Sequence, residues 1–155
     1  MTSLRAAPFN LVYLDVVKAV VLAHNQRGWS PQSLSGSGPT IQTEPLQMTP
    51  PVEGSATSTS TLEVTWSTVS SLNDGGSAVT SYNLYWDQGI GSWVTLVGQN
   101  SSYLGTSYTI GVGIMQGATY SFKVRAENMW GFGPFSTTTS IVASTVPSQV
   151  TNVTT

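Results

Sequence analysis

Residues 119–128 read TYSFKVRAEN, and this stretch decides the fold class. Its apolar side chains, Tyr120, Phe122, Val124 and Ala126, alternate with Ser, Lys, Arg and Glu. A period of two is typical of a β-strand with one face in a core and the other in solvent. The stretch therefore predicts a long strand whose inner face contributes large apolar groups to the core.

Shorter stretches with related patterns lie on both sides of it, separated by turn signals rich in Gly, Asn and Asp. The strand candidates are TLEVTWS (61–67), SYNLYWD (81–87), SWVTLV (92–97), SYTIGV (107–112) and STTTSIVAS (136–144), and residues 33–45 are interpreted as a linker or a strand leading into one. No segment carries a long helical pattern. Short strands joined by turns predict an all-β, seven-stranded antiparallel sandwich of the immunoglobulin-like kind.

Composition excludes several classes of function. Charged residues make up 8% of the 155, against about 25% in typical soluble domains. The net charge of −2 is scattered, whereas nucleic-acid binding needs a clustered basic patch. With no cysteine and a single histidine, His24, thiolate and zinc sites are not expected, and the acidic residues form no pair suited to acid–base catalysis. We expect no enzyme, no cofactor, no metal and no membrane insertion in this segment.

From residue 44 to about 145 the chain resembles a fibronectin type III domain. The stretch IMQGATYSFKVRAEN (114–128) is similar to the family pattern LxPxxxYxFxVxAxN, with Gly117 in place of the proline, and GFGPFS (131–136) is similar to the pattern that follows it. The resemblance implies fibronectin type III topology and makes Tyr120 the tyrosine of the corner before the sixth strand. Trp66 and Tyr82 are candidates for the seam between the sheets. The predicted core is Trp66, Tyr82, Leu84, Tyr120, Phe122 and Val124.

Part of this pattern occurs twice. VLAHNQRGWSPQS (21–33) and VRAENMWGFGPFS (124–136) share Val, Ala, Asn, Gly, Pro and Ser at a constant offset of 103 residues. Residues 1–43 are therefore interpreted as the last two strands of a preceding repeat plus a linker, residues 44–145 as one complete domain, and residues 146–155 as a linker or the first strand of a following repeat. Two explanations stay open: the sequence is part of a tandem array, or neighbouring copies complete its strands.

Two groups of surface residues are candidates for recognition. Four apolar residues in the loop after the long strand and in its N-terminal equivalent are predicted inter-domain or inter-subunit contacts: Met129, Trp130, Phe132 and Trp29. The alternative for the loop is that it folds over the end of its own sandwich. Asn100 and Asn152 begin N-x-S/T sequons and are candidate glycosylation sites.

These observations favour a non-enzymatic structural module of an extracellular or cell-surface array, assembling head-to-tail into a fibre or a tandem-repeat stalk. The alternatives are a spacer or adhesion domain of a large secreted multidomain protein and an intracellular scaffold repeat. The expected partners are adjacent repeats or copies of the same chain, by strand addition, with glycans as a further candidate.

Overall fold

The computed structural model describes residues 2–145, with side chains from residue 4 onward. A single helical turn, α1 (Thr2–Arg5), precedes twelve strands in this range. The strands are β1 (Val16–Ala19), β2 (His24–Asn25), β3 (Gly28–Trp29), β4 (Gly36–Thr40), β5 (Val52–Glu53), β6 (Leu62–Thr65), β7 (Ser81–Trp86), β8 (Val94–Val97), β9 (Ser107–Ile110), β10 (Thr119–Asn128), β11 (Gly131–Phe132) and β12 (Thr139–Val142). The predicted lead-in at 146–155, with the sequon at Asn152, lies outside the described residues.

Strands β5 to β12 form a two-sheet sandwich. One sheet has the order β5-β6-β9, and the other has the order β11-β10-β7-β8 with β12 also paired to β10. Every pairing is antiparallel. Because β11 and β12 both pair with β10, they are two segments of one final strand, and the sandwich has seven strands. The predicted all-β, seven-stranded sandwich of fibronectin type III topology is confirmed.

The core lies between the inner faces of these two sheets. The side chains of Leu62 and Val64 from the first sheet, and of Leu84, Phe122 and Val124 from the second, are fully buried. Trp66 and Tyr82 meet edge to face at the seam, with ring centroids 6.3 Å apart, and both are buried. Such pairs favour the edge-to-face arrangement because the ring edge is positive and the ring face negative.

Tyr120 closes the turn that leads into β10. Its hydroxyl accepts a hydrogen bond from Met115 N at 2.9 Å and donates to Gly113 O at 3.3 Å. Gly117 has φ +78° and donates its N–H to Ala143 O. A proline at this position could supply neither that φ nor that N–H, so the corner closes here through glycine instead of the family's proline.

Strand β7 departs from the alternation of its sequence. Asn83 falls on the polar side of the pattern, yet it is fully buried. Its Nδ2 donates to Thr95 Oγ1 and Val97 O on β8, and its Oδ1 accepts from Arg125 Nε at 2.9 Å. Because its polar atoms have partners on both neighbouring strands, the amide is tolerated without access to water.

Residues 16–40, called the N-terminal hairpin below, form a separate antiparallel ribbon. Its first arm (16–25) contains β1 and β2, its second arm (28–40) contains β3 and β4, and the pairs are β1 with β4 and β2 with β3. The segment 33–45 is thus a strand over 36–40 and a connection after it. Nearly every side chain of the ribbon is exposed, because no second sheet of the described residues covers it.

Candidate inter-repeat junction

The connection between the N-terminal hairpin and the sandwich is fixed by hydrogen bonds. Ile41, at the end of the hairpin, is buried and exchanges backbone bonds with Leu14 and Asp15. Further along, Thr43 N donates to Gly75 O at 2.9 Å and Leu46 N donates to Asn73 O at 2.8 Å. Residues 41–46, called the linker below, therefore lie against the turn at 73–76 as an ordered segment.

The sequence NDGG shapes that turn. Asp74 Oδ1 accepts a hydrogen bond from Gly76 N at 2.7 Å, which stabilises the turn locally. Gly75 has φ +75°, and a Cβ atom at this position would overlap the carbonyl oxygen of Thr43. Glycine is therefore required both by the backbone conformation and by the close approach of the linker.

Asn128, the last residue of β10, ties three segments together. Its Nδ2 donates to Thr43 O at 2.8 Å in the linker and to Asp74 O at 2.7 Å in the turn. Its Oδ1 accepts from Trp130 N at 2.8 Å and so orders the tight turn before β11. The side chain is buried with both amide hydrogens and the oxygen in use, so a shorter residue would leave buried carbonyls without partners.

Two of the predicted contact residues lie in the turn between β10 and β11. Trp130 Nε1 donates to Gln42 Oε1 at 3.2 Å, and Gln42 Nε2 donates to Gly76 O at 2.6 Å. Trp130 thus reaches the linker through one glutamine side chain. Met129 points into solvent and is 70% exposed. The two residues lie side by side in sequence but contribute differently to the junction.

Phe132 and Trp29 occupy other surroundings. Phe132 lies under the guanidinium of Arg125, with 4.1 Å between Arg125 Cζ and the ring centroid. Trp29 packs against His24 near the tip of the N-terminal hairpin, with centroids 4.6 Å apart, and is 69% exposed. The four predicted contact residues therefore lie in three places: Met129 and Trp130 at the junction, Phe132 on the sheet face and Trp29 near the hairpin tip.

A ladder of cations and aromatic rings covers the outer face of the second sheet, and the sequence patterns did not indicate it. Lys123 Nζ lies 4.1 Å from the ring centroid of Trp93 and 4.6 Å from that of Phe135, and Arg125 Cζ lies 4.3 Å from Phe135. The alternation of β10 placed both cations outward, but the facing aromatics come from loops whose positions the pattern leaves open. These contacts stabilise the sheet face by stacking charge on rings.

An ion pair joins the segment before the hairpin to the linker. Arg5 donates to both carboxylate oxygens of Glu44, at 3.0 and 3.4 Å. The hydrogen bond and the charge of Arg5 lower the pKa of Glu44, and the hydrogen bond and charge of Glu44 raise the pKa of Arg5. Both side chains are 40% exposed, so the pair contributes about 0–1 kcal/mol.

The N-terminal hairpin reproduces the geometry of β10 with β11 and β12, called the domain hairpin below. Partners His24↔Trp29 and Asn25↔Gly28 become Glu127↔Phe132 and Asn128↔Gly131, each displaced by 103 residues. Gly28 and Gly131 have φ +125° and +124°. The tips of both hairpins therefore have the same register and the same turn.

Hydrogen bonds along the arms correspond in the same way. Ser33 N donates to Val21 O and Ser33 Oγ accepts from Val21 N, and Ser136 makes both bonds with Val124. Lys18↔Ser37 likewise matches Ser121↔Ser140. The correspondence ends at a register shift between Val16 and Lys18.

The sequon at Asn100 lies in the loop between β8 and β9. Asn100 is exposed, and the hydroxyl of Ser102 donates to Thr80 O. Within the described range, no cluster of three or more His, Cys, Asp or Glu side chains could hold a metal ion. The helical turn at the start of that range is far too short to cross a membrane, and the range contains no other helix.

Comparison with known proteins gives the same architecture. The fibronectin type III domain family matches residues 49–142, more than half of the chain. The chain belongs to the fibronectin type III family. Fibronectin type III domains are structural and adhesion modules of multidomain proteins and are generally non-catalytic.

Solved structures of the same fold include single domains and larger fragments. The sixth fibronectin type III domain of human fibronectin type III domain containing protein 3 is 29% identical, with TM-score 0.54, over 71% of this chain and 95% of that one. The kinase region of C. elegans twitchin is 25% identical, with TM-score 0.53, over 70% and 18%. The FN1-FN3 domains of chicken CNTN1 are 21% identical, with TM-score 0.52, over 82% and 44%. The chain thus spans less than half of these two larger fragments.

Proposed function

We propose that this chain is a structural module of a tandem fibronectin type III array. The observation that carries the proposal is the second hairpin, which repeats the register and hydrogen bonds of the domain hairpin 103 residues away and is joined to the sandwich by an ordered linker. A flexible tether would need none of the bonds made by Asn128, Gly75 and Gln42. A spaced and oriented repeat needs them, because the linker sets the angle between neighbours.

The comparison with the CNTN1 fragment supports this organisation. Residues 44–155 make up about 72% of the chain, and the match covers 82% of it. The matched part of the chain therefore includes some of the first 43 residues. An array of this kind has adjacent repeats, or copies of the same chain, as its immediate partners.

We place the array outside the cell or on its surface. Charged residues make up only 8% of the chain, so the polar part of the surface consists mainly of Ser, Thr, Asn and Gln. Attached glycans would add solubility that charge does not supply. Asn100 is an exposed sequon in a loop, and Asn152 is a second candidate. A spacer or adhesion domain of a secreted multidomain protein, or an intracellular scaffold repeat, is the alternative.

Expression through a eukaryotic secretory pathway tests the location. We expect a glycan on Asn100, measured as a mass shift that glycosidase removes and that is absent in Asn100→Gln. Asn152→Gln is the matched variant that assigns any second shift. Secretion of well-folded chain with neither sequon occupied would count against the extracellular assignment.

Sedimentation velocity over a wide concentration range, with negative-stain imaging of the same samples, tests the mode of assembly. A head-to-tail fibre predicts concentration-dependent rods whose axial repeat is one domain. A tandem stalk predicts an elongated monomer of constant sedimentation coefficient. A monomer in which the hairpin and sandwich tumble independently would contradict an oriented array.

A further inference from the structure

Resting on the array proposed above, we infer that the N-terminal hairpin is the sixth and seventh strands of a second sandwich. Its partner is the set of strands equivalent to β5–β9 of a preceding fibronectin type III repeat. Residues 4–7, which the same offset aligns with β9, belong to α1 and the turn after it, so they do not supply the last of those strands. This partner covers the apolar face of the first arm and pairs with its free edge.

The inner face of the first arm shows what is missing. Val21 occupies the position of Val124, and Ala23 that of Ala126. Val124 and Ala126 are fully buried between two sheets, whereas Val21 is 70% exposed. Since the two hairpins share their backbone bonds, the difference in burial comes from the sheets that surround only the domain hairpin.

The free edge of the first arm has a defined register. In the sandwich, Thr80 N donates to Glu127 O, and Asp87 N donates to Ser121 O, so these positions of β10 face β7. In an antiparallel ladder the backbone N–H and C=O groups of every second residue point to the same neighbouring strand. The backbone groups of Lys123 and Arg125 therefore point to β7 as well. Val20 and Leu22 are their equivalents, so their N–H groups point to where the partner's third strand would pair.

The side chains of the arm also restrict the partner. Val17 and Ala19 stand where Tyr120 and Phe122 fill the domain core, so the facing sheet needs bulkier inward side chains than β6 and β9 supply. The residues before the hairpin leave this face exposed at Ala19, Val21 and Ala23. Arg5 instead pairs with Glu44, and Leu14 bonds Ile41 at the junction. The occupant is therefore another segment, with the alternation and strand order of the family.

Residue-resolved amide exchange of the full chain and of a chimera tests the inference. In the chimera, a copy of residues 43–118 replaces residues 1–15, so that residue 118 runs into residue 16 as it normally runs into residue 119. The chimera is made with the natural hairpin and with Val17→Tyr plus Ala19→Phe, which restores the side chains that this copied half-sandwich packs against.

We expect the amides of Val20 and Leu22 to exchange freely in the full chain. In the chimera that carries Val17→Tyr plus Ala19→Phe, their exchange should be slower by at least about 100-fold. Val21→Asp should abolish that protection, and Leu22→Asp, on the outer face, should leave most of it. Free exchange of both amides in both chimeras would overturn the inference. Protection that instead rises with the concentration of the full chain would overturn it in favour of a second copy. Amides of residues 44–145 report separately on whether the sandwich is folded, and the sedimentation experiment above tests the array itself, so failure of this inference can be told from failure of the proposed function.

Discussion

The two hairpins have the same hydrogen-bond scheme and opposite surroundings. In the domain hairpin, Val124 is enclosed by two sheets; in the N-terminal hairpin, its counterpart Val21 is exposed. Both hairpins have the same turn, with a glycine of positive φ, and both have a serine that bonds the valine on the facing arm. The two hairpins thus share their local geometry in different surroundings, and the surrounding core decides how much each residue contributes to stability.

Equivalent substitutions should therefore have unequal effects in the two hairpins. Removing a side chain that fills the core or satisfies a buried hydrogen bond lowers the free energy of unfolding by the full cost of the cavity or of the unpaired group. Its counterpart in an exposed ribbon loses contacts that water replaces.

The largest difference is expected in the core. Phe122→Ala should lower the free energy of unfolding by about 3–5 kcal/mol, because it removes a fully buried ring from the centre of β10. Val21→Ala in the N-terminal hairpin should change it by less than about 0.5 kcal/mol. Urea unfolding followed by tryptophan fluorescence measures both. Equal losses would show that the N-terminal hairpin is already packed against a core.

The junction should show the next largest difference. Asn128→Ala removes bonds to Thr43 O and Asp74 O and should cost about 2–3 kcal/mol. It should also speed amide exchange at Thr43, which the turn at 73–76 holds in place. Asn25→Ala, at the equivalent exposed position, should change stability by less than about 0.5 kcal/mol. A loss of stability without faster exchange at Thr43 would mean that Asn128 does not order the linker.

The sequence predicted the sandwich because its information is local and periodic. The alternation in TYSFKVRAEN assigns faces, and glycine and asparagine mark the turns. The offset of 103 residues could also be read directly from matching letters. The alternation and the turns depend on residues close in the chain, and the repeat needs only a comparison of letters, which is why fold and family followed from them.

The junction was not predicted, because its contacts join loops far apart in sequence. Asn128 and Thr43 are separated by 85 residues, and Trp130 and Gln42 by 88. Asn83 was placed on a polar face by its alternation, but β8 and Arg125 cover it. Pairings of this kind depend on how loops pack in three dimensions, and a single sequence carries no periodic signal for them.

Ser136 and Ser33 give the most closely matched comparison. Ser136→Ala leaves the buried Val124 N–H without an acceptor and should cost about 1–2 kcal/mol. Ser33→Ala removes the same bond to Val21 N, but water can replace it, so the change should stay below about 0.5 kcal/mol. Urea midpoints of the two variants, measured side by side, decide this. A cost at Ser33 equal to that at Ser136 would contradict the exposed environment of the N-terminal hairpin.

The smallest effect is expected near the N-terminal end of β10, where Asp87 bonds the backbone of Ser121. Among the described residues, the first arm of the N-terminal hairpin has no equivalent of this contact. Burial raises the pKa of Asp87, but hydrogen bonds from Ser121 N and Gly89 N outweigh it, and the pKa is lowered overall. A lowered folded-state pKa stabilises the protein above the unfolded value, about 3.9, and this stabilisation is lost as the pH falls through the folded value.

Asp87→Asn should therefore cost about 1 kcal/mol at pH 7, and the difference from the parent chain should shrink below about pH 4 as Asp87 itself becomes neutral. Urea unfolding at a series of pH values measures this difference. Asp15→Asn is the matched control, because Asp15 bonds Val12 N beside the N-terminal hairpin and lies outside the sandwich. A cost of Asp87→Asn that stays constant down to pH 2 would assign the effect to packing and not to the charge that closes the strand.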